Sequence, residues 1–128
     1  MKLLYFDETE KIIGILYEVY NNLDWGYKEK KYENALIHEA KINDISCTNQ
    51  IHLPVTYKGK KIGVGYCDLL FYDKIVVELK VGKKMLYKDF KQLEEYLKIL
   101  KLEVGLLALY SPDGVTHRRV VNPDLVKK

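Results

Sequence analysis

Ile75-Val76-Val77-Glu78-Leu79-Lys80-Val81 is the stretch on which the reading of this chain turns. It is apolar apart from Glu78 and Lys80, and its length suits a buried strand. Side chains alternate faces along a strand, so Glu78 and Lys80 point the same way. A carboxylate and an ammonium in an apolar strand are costly to bury without a partner. The cost falls if the carboxylate holds a cation and the ammonium sits where an anion arrives.

Asp68 lies ten residues earlier, on the segment that reads as the preceding strand. A hairpin centred on Asp73 sets Asp68 directly opposite Glu78. Opposed residues of an antiparallel pair share a face, with Cβ atoms about 4.5–5.5 Å apart. Carboxylates that close repel unless one is protonated or a metal bridges them. The register needs a loop of odd length, because a two-residue turn would slip Asp68 opposite Leu79 and onto the other face. Oxygen donors without His or Cys favour Mg²⁺ or Mn²⁺. Such an ion activates water and offsets charge on a phosphoryl group, and Lys80 is placed to stabilise that charge or to orient the water. A surface ion pair is the plainer reading of a bare Glu-x-Lys. The strand context and Asp68 weigh against it.

Working outward, Asp7 to Leu23 reads as a helix capped by Asp7 or Thr9, with Ile12, Leu16, Val19, Tyr20 and Leu23 at helical spacing. Asn21-Asn22 and Asp24-Trp25-Gly26 break it. A second helix is expected from about Tyr27 to Asn43, with Tyr32, Leu36, Ile37 and Ala40 on its apolar face. Strands are expected over Ile51 to Tyr57 and Lys61 to Tyr72, joined at Lys58-Gly59-Lys60. Gly63 and Gly65 suggest a bulge or a close backbone approach in the second of these. Lys84 to Lys101 reads as an amphipathic helix striped by Leu86, Phe90, Leu93, Leu97 and Leu100. Val104 to Tyr110 is a buried strand by its apolar run, Ser111-Pro112-Asp113-Gly114 a turn, and His117 to Val121 an edge strand. The order ααβββαββ implies an α/β fold with a mixed sheet.

The chain has 128 residues, 48% hydrophobic and 30% charged, with a net charge of +3. That length fits one domain spanning residues 1–128, able to bury a core without disulfides. No apolar run approaches the roughly 20 residues needed to span a membrane. The opening Met1-Lys2-Leu3-Leu4-Tyr5-Phe6 is too short for a signal-peptide core. Cys47 and Cys67 have no zinc-site spacing and read as reduced thiols of a cytoplasmic protein. His38, His52 and His117 are scattered and read as ordinary polar or packing residues. A glycine-rich phosphate loop and a Gly-x-Ser-x-Gly nucleophile motif are both missing.

Two further features bear on chemistry. Gln92 and Tyr96 are four apart on the third helix and share a face beside its leucine stripe. Glu29, Tyr32 and Glu33 open the second helix on the face that continues to Leu36. Carboxylates on that stripe suit either the helix dipole or a nearby cation.

The ordered set of these segments resembles the small GxxExxY proteins, a branch of the PD-(D/E)XK nuclease superfamily. It runs from Gly26-x-x-Glu29-x-x-Tyr32 and Tyr32-Glu33-Asn34-Ala35-Leu36, through Leu53-Pro54-Val55-Thr56-Tyr57-Lys58-Gly59, to Asp68-Leu69-Leu70 and Val77-Glu78-Leu79-Lys80. The similarity covers about Glu8 to Tyr110. Gln92-x-x-x-Tyr96 is similar to the extra motif of RecB-like and lambda-exonuclease-like nucleases. The resemblance implies a restriction-endonuclease-like core, a central mixed sheet flanked by helices. It implies metal ligation by Asp68, Glu78 and the Leu79 carbonyl, with Lys80 as catalytic lysine and Glu29 as helical acid. Glu33 is a second candidate for that acid. Gln92 and Tyr96 would line the site. Val81-Gly82-Lys83-Lys84 is more basic than the continuation the family usually shows.

The expected activity is therefore divalent-metal-dependent hydrolysis of nucleic-acid phosphodiesters, with DNA favoured over RNA. Lys83, Lys84 and Lys88, with Lys58, Lys60 and Lys61, could form a phosphate track. Tyr27, Tyr66, Tyr72 and Tyr87 could stack on bases. A homodimer is expected, since a chain this small often needs a second copy to span a duplex. The alternatives are a non-catalytic nucleic-acid-binding or assembly module that keeps the fold, and a small-molecule phosphodiesterase or unrelated α/β enzyme with a deep closed pocket.

Overall fold

The computed structural model describes residues 3–126, so Met1 and Lys2 of the apolar opening lie outside it. Eight elements follow one another: α1 (Phe6–Leu23), α2 (Glu29–Ile42), β1 (Cys47–Tyr57), β2 (Lys60–Phe71), β3 (Ile75–Val81), α3 (Tyr87–Leu100), β4 (Val104–Ser111) and β5 (Gly114–Val121). The strands form a five-stranded sheet in sequence order. Pairing is antiparallel except between β3 and β4, which are parallel. A parallel pair needs a long crossover, and α3 supplies it.

Two apolar clusters sandwich the sheet. Ile12, Leu16 and Val19 of α1 and Tyr32, Leu36 and Ala40 of α2 pack on Leu69, Phe71, Val77, Leu79, Ala108 and Tyr110. On the other face Leu93 and Leu97 of α3 pack on Leu53, Cys67, Val76 and Leu107. The result is a mixed α/β fold with a central mixed sheet flanked by helices, as the element order implied. Among the described residues no helix is long and apolar enough to cross a membrane.

Several boundaries move for identifiable reasons. α1 starts one residue earlier than expected, and neither Asp7 nor Thr9 caps it. Tyr5 occupies the cap position in a left-handed conformation, and Thr9 Oγ1 instead donates to the Phe6 carbonyl at 3.0 Å. β1 reaches back to Cys47 because Cys47, Thr48 and Asn49 pair with Phe71, Leu70 and Leu69. That polar segment carries no alternation, so only its partner strand makes it a strand. α3 begins at Tyr87 rather than Lys84, and Leu86 is exposed at the entry rather than part of the buried stripe. The bulge expected near Gly63 and Gly65 falls where Val55 pairs with Gly63 but Thr56 with Lys61, leaving Ile62 as the extra residue. At Gly65 a Cβ would meet only ordinary contacts with Leu53, 3.8 Å away. The tight backbone approach is at Gly105, where a Cβ would stand 3.0 Å from Leu93 Cδ1 and 3.1 Å from the Val76 carbonyl oxygen.

The hairpin that matters has the odd loop it needed. Leu69, Leu70 and Phe71 pair with Val77, Val76 and Ile75, leaving Tyr72, Asp73 and Lys74 as the loop. Tyr72 and Asp73 both adopt positive φ, at 56° and 57°. The pairing is centred on Asp73.

Gly105→Ala should lower stability by about 1–3 kcal/mol, because the added methyl forces Leu93 off β4. Urea unfolding measures this. An unchanged midpoint would mean that α3 does not seat closely on Gly105.

Candidate functional site

The ladder between β2 and β3 reaches Leu69 and Val77, and there the pairing changes character. At the next position side chains take over from the backbone. The Asp68 backbone N–H donates to Glu78 Oε1 at 3.1 Å, and the Leu79 N–H donates to Asp68 Oδ2 at 2.9 Å. Cys67 belongs to the α3-side cluster and Leu69 to the α1/α2-side cluster, although they would share a face of a flat strand. β2 therefore rolls over at Asp68, and the carboxylates fill the opening.

Gly26 adopts φ +125°, a conformation that favours glycine, and turns the chain into α2. Glu29 is the first residue of that helix. Tyr32 is fully buried, donates from its hydroxyl to the Asp24 carbonyl at 2.5 Å, and accepts the Tyr27 N–H at 3.3 Å. The Gly-x-x-Glu-x-x-Tyr spacing thus sets one acid at the start of a helix whose entry loop the tyrosine ties down. Carboxylate oxygens of Glu29, Glu33 and Asp68 all lie within 4.8 Å of one another.

This crowding shows in the protonation of the acids. Burial, then the charge of Asp68, raises Glu78 well above the usual carboxylate range. Burial, then Asp68, then Glu29, pushes Glu33 up to about 7. Glu29 is raised by burial and by Asp68, while Lys80 draws it down. Tyr96 is held protonated by burial first and by Glu78 next. A site that strains to keep its carboxylates ionised suits a cation. Its donors are hard oxygens, so the residues present fit a divalent ion of the Mg²⁺ or Mn²⁺ kind.

Lys80 reaches across to α3. Its Nζ donates to Gln92 Oε1 at 3.4 Å and lies 3.9 Å from Asp89 Oδ1. Asp89 is buried, and its other oxygen accepts the Leu86 N–H at 3.0 Å. Asp89 is not marked by periodicity, and its signal in the sequence is its place three residues after Leu86 at a helix start. His52, expected to be an ordinary polar or packing residue, lines a cavity of about 430 Å³ with Lys30, Glu33, Tyr66, Cys67 and Asp68.

A second groove of about 600 Å³ runs between the β1–β2 hairpin and α3, lined by Lys88, Gln92 and Tyr96 among others. Lys83 and Lys84 are exposed on the loop after β3, and Lys58, Lys60 and Lys61 on or beside the hairpin tip. These lysines are dispersed over several elements. Tyr66 and Tyr87 are well exposed, and Tyr27 is exposed with its ring edge on Tyr32. Tyr72 is unsuited to stacking on bases. It packs against the α1/α2-side cluster, and its hydroxyl is buried.

A family model for the PD-(D/E)XK nuclease superfamily matches residues 6–120. The chain belongs to that superfamily. Among solved structures this PD-(D/E)XK chain is similar to SSO0001, with 21% identity and a TM-score of 0.61 over 91% of this chain and 59% of the other. It thus spans less than two thirds of that protein. It is also similar to an alkaline exonuclease, LHK-Exo, from Laribacter hongkongensis, with 13% identity and a TM-score of 0.55 over 98% of this chain and 73% of the other. At these identities the likeness concerns the fold. No curated protein matches the sequence.

The raised acids make the metal-free protein sensitive to pH. A carboxyl whose folded pKa exceeds its unfolded value stabilises the fold below the unfolded value, and that contribution is lost as pH rises through the folded one. Stability should therefore fall from about pH 4.5 to about 7 through Glu33, on the order of 2–3 kcal/mol, and further at higher pH through Glu78. Thermal unfolding in EDTA should show a declining Tm, flattened in Glu33→Gln. A Tm that is level or rises across that range would contradict this account of the site.

Proposed function

We propose that this chain is a divalent-metal-dependent nuclease that hydrolyses nucleic-acid phosphodiester bonds, with DNA favoured over RNA. The observation that carries the proposal is the position of Asp68 and Glu78 in the opening between two strands, with Lys80 on the same strand as Glu78 and the Glu29 and Glu33 carboxylates of α2 within 4.8 Å of that of Asp68. The superfamily's nucleases use divalent metals. A bound Mg²⁺ or Mn²⁺ would acidify water and offset charge on the phosphoryl oxygens.

Asp68, Glu78 and the Leu79 carbonyl would hold the ion. The Leu79 N–H keeps the Asp68 carboxylate turned toward the centre. Lys80 carries a fixed positive charge to the phosphate as water adds to phosphorus and the leaving oxygen departs. Gln92 steadies the lysine ammonium from α3. Tyr96, kept protonated, is a hydrogen-bond donor toward the site or a phosphate oxygen. Glu29 completes the acidic wall and can orient or accept a proton from water. Lys83, Lys84 and Lys88 would meet flanking phosphates.

Membership of the GxxExxY branch is part of the same proposal, supported by the roles that Gly26, Glu29 and Tyr32 play in one loop and helix. So are a single nuclease-like domain over residues 1–128, a cytoplasmic setting consistent with two free thiols, and a homodimer.

The decisive assay incubates the protein with single- and double-stranded DNA and RNA in Mg²⁺, Mn²⁺ or EDTA. Cleavage should need the metal and drop by at least about a hundredfold in Lys80→Ala and Asp68→Ala, the scale of losing one such stabilising group. No cleavage in any arm, with no metal binding by calorimetry, would move the chain to a non-catalytic binding module. A second variant isolates the Lys80 support. Asp89→Asn keeps an oxygen for the Leu86 N–H but removes the charge beside Lys80. It should cut kcat about tenfold with KM and Tm nearly unchanged. A fall in Tm without loss of kcat would make Asp89 a helix cap only.

A further inference from the structure

We propose that the β1–β2 hairpin carries a stacking platform for an unpaired nucleic-acid strand, which admits single-stranded or frayed substrate to the acidic centre. The inference rests on the nuclease reading for its occupant and concerns a surface that the catalytic residues do not include.

Odd-numbered Leu53 is buried toward α3, and Val55 and Gly65 line the groove on that side. The even-numbered residues face away. There His52 pairs with Tyr66 and Pro54 with Val64 across the two strands. All four are exposed, Tyr66 by 54% and Val64 by 41%. The His52 and Tyr66 rings meet edge to face, centroids 4.8 Å apart, so His52 steadies Tyr66 while leaving much of it open. An uncovered run of ring and apolar side chains on a strand pair calls for an occupant.

Its two ends say which one. At one end the strip enters the cavity of about 430 Å³ shared with Asp68, Glu33 and Lys30. From Val64 to Asp68 is four residues, about 13 Å of strand, a span suited to a few nucleotides. Beyond the other end stand the exposed Lys58, Lys60 and Lys61. A ligand lying here meets basic side chains at both ends, apolar rings between them, and the acids where a phosphodiester would be cut. Bases of an unpaired strand supply the matching faces. Bases of a duplex have both faces covered by their neighbours, so a duplex gains little from such a strip. A second copy of the chain is the poorer occupant, because four side chains fall short of the roughly 800 Å² per partner that a stable interface buries.

The test is equilibrium binding of fluorescent oligothymidylate and of a duplex of equal length to the full chain in EDTA, where metal-dependent cleavage is silent. The single strand should bind the wild type more tightly than the duplex. Tyr66→Ala should weaken single-strand binding about tenfold and leave duplex binding unchanged. Tyr66→Phe should bind like the wild type, which separates stacking from folding, and an oligonucleotide of abasic residues should be indifferent to Tyr66→Ala. Equal affinity of wild type and Tyr66→Ala for the single strand overturns the platform, as does an equal loss on both ligands. A shift from dimer to monomer in Tyr66→Ala, with binding unchanged, overturns it in favour of a second copy on this face. Cleavage assays keep the two readings apart. Tyr66-dependent binding without any cleavage removes the nuclease and keeps the platform, and metal-dependent cleavage without Tyr66-dependent binding does the reverse.

Discussion

The parting of β2 and β3 at Asp68 is the constraint around which this molecule is organised. Two backbone N–H groups at that point, those of Asp68 and Leu79, bond to carboxylates instead of carbonyls. The exchange satisfies donors that would otherwise be costly to bury, and it fixes two acids at the opening. The charge they bring is expensive there, and Glu78 answers by holding its proton far above the ordinary range. Proton and cation then compete for the same oxygens, and an ion bound to the folded site would relieve the repulsion and stabilise the fold.

The surrounding elements serve that opening from both sides. α2 delivers Glu29 and Glu33 from one face of the sheet, and α3 brings Asp89, Gln92 and Tyr96 from the other. Each helix is held by close contacts that have nothing to do with acids. Tyr32 meets Tyr110 at 4.7 Å on the α2 side, and Leu93 lies over Gly105 on the α3 side. Precision at the centre is thus a property of the two apolar clusters. A change far from the carboxylates can misplace them.

The long β1–β2 hairpin gives this arrangement two approaches. Its α3-facing side borders a groove with Lys88, Gln92 and Tyr96, and its other side presents His52 and Tyr66. The second side reaches Asp68 and Glu33, and the groove reaches Gln92, which accepts from Lys80. A strand that alternates faces can therefore border two different clefts with a single hairpin.

Much of the plan was legible in the sequence because periodicity is local. β3 was read to the residue, and the element order and the alternation of Glu78 and Lys80 follow from pattern alone. The odd loop was the weaker step, since Tyr72-Asp73-Lys74 has no glycine to mark two successive positive φ values. The polar start of β1 was unreadable because its pairing partner, Leu69–Phe71, is what makes it a strand. Asp89 is marked locally only as a helix-start residue, and the ammonium beside it, that of Lys80, comes from another element, as does the Tyr66 ring beside His52. By itself the sequence determined the elements, the strand bearing Glu78 and Lys80, and the chemistry of the donors. Only the tertiary structure decided where β2 rolls over, which acids crowd together and which face of the hairpin stays open, because these depend on how helices and strands distant in sequence pack.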